Sequence, residues 1–202
     1  MNPVNLPMQK PAQQLDVQPR HQPDLMHHPL IIALHWLTLA ALLMGVAAIL
    51  LREVAEGRGL RLELLNLHRS VGILVLLAAG ARLALRQQVG CPSPVHDTPW
   101  MMQRMAALSH GALYVLLAAL PVLGWALTSA RGLHANLFGL IPLPSLMASD
   151  PDFADTLADY HLWASWALLA LVTAHAGAAL WHHHVRRDHV LVSMLPKRRN
   201  KR

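Results

Sequence analysis

Residues 30–45 read "LIIALHWLTLAALLMG". The run continues without a charge to Leu51, and one imidazole, His35, stands inside it. A helix needs roughly 20 mostly apolar residues to cross the hydrocarbon of a bilayer, so 30–51 is long enough to span. Working outward, 105–130 is also free of charge, and 160–181 carries only His161 and His175 as ionisable groups besides Tyr160. A further stretch, 64–85, has Arg69 near one end and Arg82 near the other, where each guanidinium is expected to snorkel to a headgroup. Of the 202 residues, 54% are hydrophobic and 14% charged. Four spans at this spacing argue against a soluble fold. The expectation is an all-α integral membrane four-helix bundle.

The first 29 residues are polar and proline-rich. They lack the apolar core of a cleavable signal and are too poor in apolar residues to fold alone. Three segments result: a disordered tail over 1–29, a four-helix membrane domain over 30–185 and a basic tail over 186–202. The lone Cys91 lies in a proline-rich loop and reads as a free thiol. Basic residues in short flanks mark the cytoplasmic side. Lys10, Arg20, the 86–104 loop with Arg86 and Arg104, and the C-terminal tail fall on one side. The opposite side has Arg52, Arg58 and Arg61 in one loop and Arg131 in the other, diluted by Asp150, Asp152, Asp155 and Asp159. Both termini are therefore predicted to be cytoplasmic, in a multi-pass membrane protein. The net charge of +6 is explained by this topology, without a nucleic-acid partner. Segment 131–159, with "LFGLIPLP", is expected to be a loop at the interface or against the bundle mouth.

Burying an imidazole without a partner costs a few kcal/mol, and ionisable groups inside spans point to function. Depth sorts them. His68 and His161 fall near the outer face, whereas His35 and His175 fall near the inner one, with His110 also in the inner layer. His161 and His175 are 14 residues apart on the last span. That is nearly four turns, so both share a face, about 21 Å apart along the axis. One helix thus offers an inward imidazole in each leaflet, with a partner at matching depth on another helix. This pattern suits two bis-histidine haems b, where filled axial sites favour electron transfer over ligand binding. No C-x-x-C-H motif is present, so attachment is expected to be non-covalent. The inner layer has one histidine too many. His110 either replaces His35 as ligand or hydrogen-bonds a propionate or a quinone carbonyl. His182 and His183, in the "HHH" run at the inner boundary, are candidates for propionate contact or for quinone and proton chemistry. Gly45, Gly72, Gly111 and Gly177 lie near these histidines and give weak support, since glycines also pack membrane helices. A metal-ion pathway would add carboxylates or thiolates, and none lies within the four spans.

Several motifs together resemble the bacterial cytochrome b561 family of small four-helix di-haem cytochromes. They are "ALHW" at 33–36, "NLHRSVG" at 66–72, "RLALR" at 82–86, "HGALYVLLAALPVLGW" at 110–125, "RGLHANLFGL" at 131–140, "HLWAS" at 161–165 and "HAGAALWHHHVRRDHVLVSMLP" at 175–196. The resemblance covers about 27–196. It implies ligands from the first, second and fourth helices, hence His35 with His175 and His68 with His161. One class of members is similar to superoxide oxidase, which implies superoxide as outer donor and ubiquinone as acceptor. Many members carry Glu after the outer ligand, where Leu162 stands here.

Superoxide is a small anion, and a cationic mouth raises its capture rate. Arg52 and Arg131, at helix mouths, are the best candidates among the outer arginines, with Glu53, Glu56 and Glu63 diluting the field. Two functions fit. One is a stand-alone oxidoreductase between an outer donor and the quinone pool. The other is a haem-carrying membrane anchor that relays electrons for a dehydrogenase partner. Short outer loops favour the first.

Overall fold

A computed structural model describes residues 28–89 and 99–195. Four long helices dominate: α1 Pro29–Val54, α2 Arg58–Val89, α3 Trp100–Ala130 and α4 Pro151–Trp181. Each is long and apolar enough to cross a membrane. The helices run further than the uncharged stretches suggest. Arg52 belongs to α1, Arg58 and Arg61 to the start of α2, Arg86 to its last turn, and Arg104 to α3. Helical hydrogen bonds do not require apolar residues, so charged turns extend each span beyond the hydrocarbon. Gly57, at φ +87, makes the abrupt turn between α1 and α2. Cys91 lies outside the described residues.

The expected loop over 131–159 needs correction, because α4 begins at Pro151. Pro151 starts the helix instead of breaking it: a proline in the first turn gives up no hydrogen bond. The Asp150 carboxylate accepts from the Phe153 amide at 3.0 Å, and Asp152 adds negative charge in the first turn. Ala154 and Leu157 then bury against Ala130 at the end of α3. The rest of the connection carries a small antiparallel hairpin, β1 Asn136–Leu137 with β2 Ile141–Pro142.

The hairpin is tied to the bundle. The Ser70 hydroxyl, buried in α2, donates to the Asn136 carbonyl at 3.1 Å and accepts from the Phe138 amide at 2.8 Å. That second bond holds Phe138 at φ 51, a left-handed conformation unusual for a bulky residue. The Trp125 indole donates to the Pro144 carbonyl at 2.9 Å.

α1 packs on α2, α2 on α3 and α3 on α4. The central cluster is made of Ala41, Val71, Val75, Ala79, Leu117, Leu120 and Leu168. Outward faces are apolar: Trp163 is 71% exposed and Leu43 63%. In water such a surface would aggregate; against lipid tails it is the expected exterior.

Candidate functional site

The termini end of the bundle holds the start of α1 and the end of α4; the hairpin end holds the α1–α2 turn and the β-hairpin. Two histidine pairs lie between them. Toward the hairpin end, His68 of α2 faces His161 of α4, with ring centroids 6.1 Å apart. Toward the termini end, His35 of α1 faces His175 of α4 at 6.4 Å. The expected pairs are thus brought together at both depths.

These distances test for a shared metal. Two imidazoles bound on opposite sides of one ion, each nitrogen about 2 Å from it, would have centroids about 6.3 Å apart. Both pairs fit that spacing. His110 also approaches His175, but at 5.3 Å, too close for the two rings to bind opposite sides of one ion. Its Nδ1 lies 2.7 Å from the Ala106 carbonyl, one turn back on α3. His110 therefore stands beside the His35–His175 pair. Among the described residues no group of three or more His, Cys, Asp or Glu is arranged to hold a metal ion. Paired nitrogens with an apolar surround suit a haem better than a bare cation.

The hairpin-side pair has a developed surround. Nδ1 of His68 sits 2.9 Å from the Gly45 carbonyl on α1. With the proton on Nδ1, this bond orients the ring and leaves Nε2 free to ligate. His161 is confined by Gly124 on α3: a Cβ added there would sit 3.3 Å from Cε1 and 3.5 Å from Nδ1. Its Nδ1 is buried without a hydrogen bond of ordinary geometry, although the Leu120 carbonyl is within electrostatic reach. An apolar cavity of about 200 Å³ opens beside the pair, lined by Leu42, Val71, Val75, Leu117, Leu168 and Val172 among others. Gly45 and Gly72 also line it, and a side chain at Gly72 would meet nothing within 4 Å. A flat apolar macrocycle can approach the backbone at such positions.

At the hairpin end, Arg69 lies near enough to both Arg131 and Arg52 for their charges to act on it. Arg52 is partly neutralised by Glu53 at 2.8 Å. Beside them an open groove of about 730 Å³ is lined by Arg52, Arg58 and Arg61, with Glu56.

At the termini end, α4 runs into a π-helical turn, His182–Arg186, and the chain folds back to a short 3₁₀ turn, Val192–Met194. His182 Nδ1 meets the Asp188 carboxylate at 2.5 Å, and Arg186 lies 3.9 Å from the same oxygen. The Trp36 indole donates to the Met194 carbonyl at 2.8 Å, fastening this cap to α1 next to His35. His183 is half-buried, with its ring 4.9 Å from that of His184 and its Nδ1 buried without a partner. Burial pushes the Asp188 carboxyl upward, but the His182 and Val190 hydrogen bonds and the charges of His182 and Arg186 outweigh it. The net displacement is below the ordinary carboxylate value.

Sequence reasoning passed over Gly124, Ser70, Asp188 and Tyr114. Arg82 carries a signal, being charged within a span, and the sequence predicts that it snorkels. Its Nε is instead buried, with the guanidinium 5.8 Å from the centre of the Tyr114 ring.

Residues 26–197 match the family described as prokaryotic cytochrome b561. The chain is 34% identical over 168 residues to "Probable superoxide oxidase CybB" of Yersinia pestis, covering 83% of this chain and 94% of that protein. It is 32% identical over 169 residues to "Cytochrome b561 homolog 1" of Escherichia coli, covering 83% and 96%. The match to "Cytochrome b561 homolog 2" of the same organism is 31% over 167 residues, covering 82% and 88%.

Proposed function

The chain belongs to the prokaryotic cytochrome b561 family, so it is a bacterial membrane protein of b-type haem electron transport, and from that premise we propose that it is a di-haem oxidoreductase carrying electrons from superoxide to ubiquinone. The observation that carries this reading is the pair of centroid distances, 6.1 and 6.4 Å, at two depths. His68 and His161 hold one haem b, and His35 and His175 the other. Each haem would be held by the two imidazoles of its pair and would supply a one-electron couple.

The residues around the haems set direction and access. Basic flanks support an inner-membrane orientation with residues 1–29 and 186–202 in the cytoplasm and the domain over 30–185 between them. The hairpin end then faces outward. Arg52 and Arg131, together with Arg69, concentrate small anions there, and the relative named for superoxide oxidation supports superoxide as the anion. The apolar cavity wall gives the hairpin-side pair a hydrophobic surround. At the cytoplasmic end, ubiquinone needs protons as well as electrons. His182 is positioned to hold one on its ring, with Asp188 fixing the orientation at 2.5 Å, while His110 and His183 stand nearby as quinone or propionate contacts.

A superoxide pulse in a stopped-flow spectrometer tests the donor. Haem reduction is expected to be fast and to slow as salt screens the arginines. Neutralising Arg52 and Arg131 together should slow it about tenfold and flatten the salt dependence, with haem spectra unchanged. Slow, salt-independent reduction in the wild type would refute superoxide as donor and leave the relay role for a dehydrogenase partner.

A further inference from the structure

The guanidinium of Arg82 on α2 and the phenol of Tyr114 on α3 meet inside the bundle, 5.8 Å from ζ-carbon to ring centre. Arg82 Nε and the Tyr114 hydroxyl are both buried donors without a hydrogen-bond partner. Among the described residues five side-chain atoms are in that condition, and this one contact accounts for two of them. Leaving a buried donor unpaired costs about 1–3 kcal/mol, more when it is charged. Two adjacent donors therefore imply a shared acceptor.

That acceptor carries negative charge. A guanidinium stays charged in proteins, and Arg86 adds a second positive charge one turn further along α2. The stretches 30–51, 64–89, 100–130 and 160–181 contain no Asp or Glu. Asp188 is engaged by His182 and Arg186 in the cap. The four helices thus supply no counter-anion at this depth. Location narrows the choice. Tyr114 is one turn from His110 on α3, and the His110 ring lies 5.3 Å from that of His175. The charge of Arg82 reaches both histidines. Whatever oxyanion is received must lie beside His175.

We infer that Arg82 and Tyr114 form an oxyanion site, and that its occupant is a propionate carboxylate of the haem held by His35 and His175. The inference rests on the di-haem reading above. Guanidinium-to-carboxylate hydrogen bonds are among the strongest available in a dry site, and the phenol hydroxyl adds a second donor. A lipid phosphate offers similar oxyanion chemistry, and the test separates the two.

The test is a redox titration of the full-length, haem-loaded protein in non-ionic detergent without quinone, then with added phosphatidylglycerol. The termini-side haem is identified as the one retained by His68→Ala. Removing a positive charge disfavours the reduced form. Arg82→Gln should therefore shift that haem's reduction equilibrium about tenfold toward ferric, about 59 mV for a one-electron couple, and speed its loss to apomyoglobin. Tyr114→Phe should shift it the same way by less, and Arg82→Lys should restore most of the potential. The other haem should not move. If Arg82→Gln and Tyr114→Phe both leave potential and retention at wild-type values, the site is not an oxyanion clamp. A shift seen only with phosphatidylglycerol assigns the site to a headgroup and overturns the propionate. If Arg82→Gln does not fold, Tyr114→Phe decides alone. A single haem in fully loaded wild type would refute the di-haem reading itself, whereas two haems with unmoved potentials would refute only the clamp.

Discussion

Replacing Gly124 by alanine should separate haem binding from folding. An added Cβ would sit 3.3 Å from Cε1 of His161 and 3.5 Å from Nδ1. Carbon atoms are comfortable at about 3.5–4.0 Å, so the ring must back away by about 0.2–0.7 Å. A ligand site tolerates about 0.5 Å before geometry fails. Disturbing a ligand's orientation usually costs 10- to 100-fold in affinity, so retention of the hairpin-side haem should fall about tenfold. The fold should not suffer, because Gly to Ala inside a helix contributes about 0.5–1 kcal/mol of stability. Gly124→Leu should abolish that haem. Gly80→Ala, on α2 with nothing within 4 Å of the new Cβ, is the control for the helix effect alone. The assay is haem quantification by pyridine haemochrome, with apomyoglobin capture for dissociation and thermal melting for the fold. Two haems, wild-type dissociation and unchanged spectra in Gly124→Leu would refute the confinement of His161 and with it the ligand assignment.

Other expectations are independent of that one. His35→Ala and His175→Ala should each lose the termini-side haem, whereas His110→Ala should keep it and alter quinone turnover; optical spectra and quinol formation report these outcomes. If His110→Ala loses that haem and His35→Ala does not, α3 supplies the ligand. Ser70→Ala removes both bonds that pin the hairpin, and should cost about 1–3 kcal/mol, seen as a lower melting temperature and faster proteolysis near Phe138. The Asp188 carboxyl lies lower in the folded chain than in the unfolded one, where about 3.9 is usual. Its contribution is therefore present above that value and is lost as pH falls through it toward the folded one. Hydrogen-exchange protection of residues 188–195 should fall on acidification across that window, and Asp188→Asn should remove the acid-dependent step. A step of equal size in Asp188→Asn would exclude this carboxylate as its origin.

How far the sequence alone reaches can be seen residue by residue. Spans follow from transfer energetics summed along the chain, so the four helices were legible without tertiary information. The common face of His161 and His175 was legible too, because helical phase within one element depends only on the residue count. Depth matching then proposed partners for both. Phase does not transmit between helices, however. The rotation of α3 against α4 decided that His110 comes within 5.3 Å of His175, beside the 6.4 Å pair. The packing of α2 on α3 brought Arg82 onto Tyr114, against the expectation from its position near a span end. The start of α4 at Pro151 was hidden because a proline reads as a breaker until the Asp150 cap and the burial of Ala154 against Ala130 are known. His182 and Asp188 are brought together by a π-turn and a reversal at Arg187, φ 55, which no regular period encodes. Composition and periodicity along the chain thus determined a membrane bundle with histidines at two depths. Only packing between helices decided which nitrogens face one another, because that choice depends on side-chain contacts from separate segments acting together.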